Sequence, residues 1–481
     1  MRLLAKVKSK EEKRRYLGAN GLEYAEFKLE VSVVGSAVEA LAVPARFVGK
    51  ERTVRRHFLL PWLPRSGDLL VLDGAESARI LKSRRGGAEL RLPSSGVCLV
   101  SADVDGDGYQ EDVLANRFVS AAFQPHRGAR LWSLKGADGV DRFAHPEQYT
   151  MAGKYILLGG AELVLLGGGS PGEIWKSPFE RTGQDEVAEE VGREASLSYA
   201  RTLKEPRDVR VEKRVALDAE LPIVVEVYGI RGQRGPSAEG ESGTTRGQRE
   251  RPSDDGNVER DGKKEERQLT PAIRMSTAVL GDEPSLNLFE IPCADGLHVV
   301  RFHPPGFGRR WRWRDWRDEH FGLRGGFLVS RSDVDGHVLA VLFNERRAAH
   351  LSVRNDYTGP EVSIVHRPRK FPPGRILRTG VAYLACDEVA VGSGSLLAGS
   401  LGRPRGGVVP VAIVLRARGP VSRHVATVSA GRERRRVTLR RREIPEAGRV
   451  YAAVFELPRA SFPVEVSVRA GEERLTMELE A

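Results

Sequence analysis

The sequence predicts an all-β protein, and three observations carry that expectation. Apolar and polar residues alternate in LEYAEFKLEVSVVG, RVALDAELPIVVEVYGI and GGFLVSRSDVDGHVLAVLF; such runs break at Gly, Pro or Asn-Asp; and helical spacing is rare. Two short stretches read otherwise. KSKEEKRRYL near the start suits one or two helical turns, and AEEVGREASLSYA after Asp185 is the best helix candidate, although it contains a glycine. A chain of 481 residues exceeds one ordinary core, so several domains are expected.

Residues 1–95 hold short strands such as FKLEVSVVG, RTVRRHFLLP and GDLLVLDG, which read as a small β-sandwich or as an N-terminal extension of the central sheet. Residues 96–395 carry the longer strands of a central sheet domain. They are interrupted at about 230–270, where the stretch from RGQRGPSAEG to KKEERQ has Val258 as its one aliphatic side chain. Such a stretch buries too little apolar surface to offset its ordering entropy, so it reads as a disordered insertion within one domain. After the seam GSGSLLAGSLGRPRGG, residues 396–481 give six short strands at hairpin spacing, the pattern of an immunoglobulin-like β-sandwich.

Bulk composition narrows the function classes. Hydrophobic content of 40% and charged content of 29% suit a globular protein, and no window approaches the apolar length of a membrane-spanning helix. The opening MRLLAKVKSKEEKRRYLG lacks a secretory pattern. The chain is therefore expected to be soluble and cytoplasmic, or extracytoplasmic if its true start lies upstream. Cys98, Cys293 and Cys386 stand far apart without CxxC spacing and read as buried thiols. The net charge of +11 would admit a polyanion, yet arginine is spread through every segment and no recognition motif accompanies it, so nucleic acid is not the expected partner. No HExxH or P-loop occurs, and no organic cofactor is expected.

From residue 98 to 395 an acidic loop leads into LANRFVSAAFQPHRGARLWSLKG. There follow a glycine-rich segment with PGEIWKSPF, the strand pair RDVRVEKRVALDAELPIVVEVYGI, then GGFLVSRSDVDGHVLAVLF and a Pro-Gly turn in PPGRILRTGVAYLACDE. This order resembles the supersandwich of the galactose mutarotase-like superfamily, including the sandwiches attached to alpha-amylases and 4-alpha-glucanotransferases. The resemblance implies a sugar-handling fold with a concave sheet face, used there by epimerases, hydrolases, lyases and accessory domains alike, so it assigns no reaction. The alternating strand and helix periods of a catalytic (β/α)8 barrel are absent, and no pair here matches the catalytic His and Glu of a mutarotase.

Three stretches offer chemistry. In DVDGDGYQED, Asp103, Asp105 and Asp107 place hard oxygen donors at alternate positions, Gly108 supplies a turn, and Glu111 is a further ligand candidate for a structural calcium ion. Leu114 stands where an EF-hand needs its bidentate Glu, and a strand follows, so the loop is not an EF-hand. SDVDGH, residues 332–337, lacks the third aspartate and reads as a hairpin turn. FHPPGFGRRWRWRDWRDEHFGLRGG sets Trp311, Trp313 and Trp316 among arginines and carboxylates, which suits either a sugar platform or a core row; Trp175 in PGEIWKSPFE is a further candidate ligand ring. Glu173, Asp315, Glu319 and His320 are the acid/base candidates should two of them converge. The function expected is a carbohydrate-binding or structural β-protein without its own catalytic barrel. The alternatives are a carbohydrate-active enzyme on the same fold and a protein-interaction module.

Overall fold

The computed structural model describes the backbone of six strands between Arg2 and Leu81 and, from residue 92 on, most of the chain with its side chains. Residues 103, 105–108, 144–149, 167–177, 187–193, 204–208, 233–267, 277–286, 302–315 and 333–337, with some shorter stretches, lie outside the described residues. Most of the expected disordered insertion falls in that group. The described chain is all-β and every sheet in it is antiparallel.

The first six strands form a closed barrel of their own. Arg2–Leu17 pairs with Glu23–Ser36 on one side and Leu69–Asp73 on the other, which closes the ring. The helical turn expected in KSKEEKRRYL is therefore replaced by strand. Its Lys and Glu residues favour helix only weakly, and sheet partners outweigh that preference. Residues 188–193 of the second helix candidate lie outside the described residues; the rest is corrected in the same way, since Glu194–Thr202 is a strand with paired neighbours on both sides. Ala195, Leu197 and Tyr199 are buried and alternate with Ser196 and Ser198, a period of two that the Glu-rich lead-in obscured.

Two large sheets make the central sandwich. One, of ten strands, runs from Trp316–His320 at an edge through Ala348–Asp356, Gly359–His366, Gln268–Ser276, Gly160–Leu166, Arg130–Gly136, Val119–Gln124 and Glu111–Asn116 to Val97–Ala102, with the short Arg369–Lys370 also paired to Gln268–Ser276. The other, of nine, runs from Glu180–Glu186 through Glu194–Thr202, Val209–Asp218, Ile223–Gly232, Ile376–Cys386, Val338–Phe343, Phe327–Ser332 and Asn287–Cys293 to Gly296–Arg301. Their inner faces share one apolar core that includes Leu114, Phe123, Leu131, Leu197, Val211 and Phe343.

Polar side chains clip the two sheets together. Tyr199 donates its hydroxyl to Asp112 Oδ2 at 2.8 Å, and Asn116 Nδ2 donates to the carbonyls of Asp218 and Leu221 at 2.7 and 2.8 Å. At the centre, Lys213 is fully buried. Its Nζ lies 2.5 Å from Glu226 Oε1 and donates to the Ala129 carbonyl of the opposite sheet at 2.6 Å. Ala129 holds a φ of +48°, in the left-handed region, directly after Gly128 at +74°; this turn aims the carbonyl at the ammonium. Glu226 Oε2 accepts the hydroxyls of Tyr228 and Tyr383 at 3.0 and 3.1 Å. Burial, reinforced by Glu226, pushes both phenols well above their ordinary value, so they stay protonated donors. Burial also pulls the Lys213 ammonium down, and Glu226 partly offsets that.

The last eight strands form one more sheet, ordered Glu388–Val391, Leu396–Leu401, Val408–Arg416, Gly448–Pro458, Glu433–Ile444, Arg423–Ala430, Val464–Ala470, Glu473–Leu479. Glu433–Ile444 changes partner along its length: its first part pairs with Arg423–Ala430, its end with Gly448–Pro458. The sheet thereby folds over, and Glu388–Val391 comes against Glu473–Leu479 around a core of its own. Alternation divides its residues between two cores. Leu397, Ile413, Leu415 and Tyr451 turn inward, while Leu396, Ala398, Val414 and Ala452 pack on Val225, Phe327, Ala340 and Leu384 of the nine-stranded sheet's outer face.

Replacing Lys213 by Met should leave the Glu226 carboxylate buried without its ammonium and cost about 3–5 kcal/mol. Denaturant unfolding should show at least half of that loss restored in Lys213→Met/Glu226→Gln, where both charges are gone. A second expectation concerns Asp387, which accepts the Leu401 amide at 2.6 Å where the central sheet hands over to the last one. Burial pushes its carboxyl up to about 6. A carboxyl raised in the folded state favours folding in its protonated form, so its contribution to stability should be fully present below about pH 4 and be lost as pH rises through 6. The group is half-buried, so the loss should be about 1–2 kcal/mol after solvent screening, and Asp387→Asn should flatten that part of the profile.

Candidate functional site

The outer face of the nine-stranded sheet is only partly covered. In Val209–Asp218 the residues Val209, Val211, Lys213, Val215 and Leu217 point into the sandwich, which turns Arg210, Glu212 and Arg214 outward. The neighbouring Ile223–Gly232 sends Ile223 and Val225 outward to the seam with the last sheet; Val227 lies partly buried at its end, and with Gly229 it lines a groove of about 400 Å³. The floor of this groove comes from five adjacent strands, with Thr182, Glu194, Ser198, Arg210, Glu212, Arg214 and Arg378 among the polar residues. One wall is the turn carrying Pro445 and Glu446 from the last sheet.

Charge in the groove is balanced and mostly paired. Arg210 Nε lies 3.1 Å from Glu212 Oε1, and Arg214 Nη2 lies 2.9 Å from Glu194 Oε1 while also donating to Ser196 Oγ at 3.3 Å. Glu446, at a φ of +59°, is ion-paired with Arg347, whose Nη1 also donates to the Arg378 carbonyl at 2.9 Å. Gly380 is required here: a side chain would run into the Glu226 carbonyl and the Glu446 side chain, so only glycine lets this wall close on the sheet. The lining thus sets three Glu against three outward Arg. Such a surface offers alternating acceptors and donors with nearly balanced charge.

Among the described residues, none of those singled out by sequence lines the groove. Asp103, Asp105 and Asp107 lie outside the described residues, as do Glu173, Trp175, Trp311, Trp313 and Asp315, and the turn 333–337. Glu111 is buried at the foot of the acidic loop, where its Oε2 accepts the Val104 amide at 2.9 Å. Its neighbour Asp112 accepts from Tyr199, Ser101 and Arg181, and so serves the clip between the sheets. Trp316 begins the edge strand Trp316–His320, paired to Asn355. Along that strand Glu319 is exposed and His320 buried, so these two acid/base candidates point to opposite faces. His320 meets His298 of the nine-stranded sheet, with their Nδ1 atoms 2.9 Å apart. Cys293 and Cys386 are buried as expected, and Cys98 is partly so. Sequence reading passed over the groove residues. The signal available was the alternation in VRVEKRVALD, which already separates Arg210, Glu212 and Arg214 from the apolar face.

Comparison with solved structures finds a 4-alpha-glucanotransferase from Thermococcus litoralis at 10% identity and a TM-score of 0.32, covering 60% of this chain and 40% of that one. It also finds a putative aldose 1-epimerase from Klebsiella pneumoniae at 8% and 0.35, covering 67% and 84%. An alpha-galactosidase from Geobacillus stearothermophilus matches at 10% and 0.29, covering 55% and 39%. The chain thus spans about two fifths of the length of the glucanotransferase and of the galactosidase. No protein-family model and no curated protein matches the sequence. Similarities this low say nothing about the chemistry of this chain.

Proposed function

We propose that the protein is a carbohydrate-binding β-sandwich protein and that its ligand lies in the groove on the outer face of the nine-stranded sheet. The observation that carries this reading is the lattice of Glu and Arg pairs along the floor of a groove of about 400 Å³. A polyol presents alternating donors and acceptors and no charge, which matches such a floor; an apolar ligand would leave the charged groups desolvated, and a polyanion would meet as many carboxylates as guanidinium groups. The groove carboxylates are held by arginines, which suits hydroxyl binding rather than the protonated acid that glycoside cleavage needs. Binding without catalysis is therefore the reading adopted. The strand order of the last sheet, with one long strand crossing from one half to the other, supports an immunoglobulin-like domain that acts as a wall of the site.

We also propose that DVDGDGYQED holds a structural calcium ion through Asp103, Asp105 and Asp107. In support, their alternate spacing suits oxygen coordination, and the Glu111 bond to the Val104 amide draws the two ends of the loop together.

A glycan array followed by calorimetry on the wild type should detect binding of a neutral oligosaccharide. Arg378→Ala should weaken that binding at least about tenfold, the loss expected for a charged hydrogen-bonding partner, with an unchanged melt. Loss of binding in Trp311→Ala but not in Arg378→Ala would move the ligand to the tryptophan segment, and no ligand at all would favour a protein-interaction module. For the calcium loop, melting temperature should rise with calcium and fall with chelator, since an ion that binds only the native state stabilises it. An unchanged melt would reduce the loop to a turn.

A further inference from the structure

At the edge of the central sandwich, far along the nine-stranded sheet from the groove, three unlike donor side chains converge. Asn287–Cys293 and Gly296–Arg301 form a hairpin whose two-residue turn is Ala294 and Asp295, and Gly296 takes a φ of +141° to close it. Cross-strand pairing sets Cys293 opposite Gly296 and Ile291 opposite His298, so Cys293 and His298 share the inward face. Donor atoms of Cys293, Asp295 and His298 all lie within 4.8 Å of one another.

Both ring nitrogens of His298 are held: its Nδ1 lies 2.9 Å from Nδ1 of the buried His320, and its Nε2 faces the Asp295 carboxylate at 3.0 Å. A proton shared by His298 and Asp295 accounts for that pair alone. The sulfur of the buried Cys293 comes within reach of the same point as a third, unlike donor.

We propose that Cys293 Sγ, Asp295 Oδ and His298 Nε2 bind a divalent transition metal, and that His320 is the positioning residue that holds His298 in its ligating tautomer. The mixed sulfur, nitrogen and oxygen set selects zinc or cobalt over calcium or magnesium. A ligating histidine anchored through its other ring nitrogen is the usual arrangement around such ions. The Asp295 carboxylate is exposed, so the fourth position faces solvent. Thiolate ligation requires the Cys293 proton to leave as the metal enters. The ion would fasten the hairpin of one sheet beside the edge strand of the other, at the two ends of the tryptophan-rich segment 302–315.

Titration of the full chain with Co²⁺ tests this. The expected result is one Co²⁺ per chain, a thiolate-to-cobalt charge-transfer absorption, and its displacement by Zn²⁺. Cys293→Ser should abolish the charge-transfer absorption, whereas Cys98→Ser and Cys386→Ser should keep it. His298→Ala, on a partly exposed hairpin, should abolish stoichiometric binding without disturbing the core, which its melt would verify. His320→Phe should weaken affinity about 10–100-fold while the absorption returns at saturation, as expected for a residue that orients a ligand. No stoichiometric binding by the wild type, an absorption that survives Cys293→Ser, or wild-type binding by His298→Ala would each overturn the proposal.

Discussion

A lysine ammonium with no access to solvent sits between the two central sheets, and much of the architecture is arranged around it. Desolvating such a charge costs several kcal/mol, which a single counter-ion repays only with good geometry and further hydrogen bonds. Lys213 has both: Glu226 from the adjacent strand, and the Ala129 carbonyl from the facing sheet. Glu226 is itself shared with two tyrosines, one on its own strand and one on Ile376–Cys386. The network therefore fixes how three strands of one sheet register against a turn of the other. An apolar core alone specifies this less sharply, since Val, Leu and Ile tolerate sliding that directed bonds do not.

What happens inside the sandwich also decides what is left outside. Because side chains alternate, each residue that serves the inner core fixes its neighbour on the outer face. Toward one end those outward neighbours are Ile223, Val225, Phe327 and Leu384, and the last sheet covers them. Toward the other end they are Arg210, Glu212 and Arg214, which cannot be buried against an apolar surface without cost, and the cover stops. The groove is the boundary between these two regimes. Its second wall, the Pro445–Glu446 turn, is in place because the same last sheet is seated on the apolar part.

Strand content was legible in the residues because period-two alternation is a local property. It showed the strands of the central sandwich and the run of short strands after residue 396. It failed where local preference and tertiary pairing disagree: helical propensity in KSKEEKRRYL and in the described part of AEEVGREASLSYA is worth only tenths of a kcal/mol per residue, and strand pairing outweighs it. The candidate sites were less legible. Motif spacing pointed to an aspartate loop and a tryptophan run, each contiguous in sequence. The groove draws Glu194, Glu212, Arg378 and Glu446 from positions up to 252 apart (446 − 194), and no local pattern announces their meeting. His320 was singled out beside Glu319, but its partner is His298 across the edge of the two sheets.

By itself, then, the sequence determined an all-β chain, its order of strand-rich segments and which face of each strand is apolar, since all of these follow from residues a few positions apart. Only the tertiary structure decided that Lys213 is buried and paired, that three outward-facing charged rows become a groove, and that Cys293, Asp295 and His298 turn toward one point. Those outcomes depend on which strands pair and which faces are covered. Such choices are made by the summed burial and hydrogen bonding of the whole chain, and no window of residues contains them.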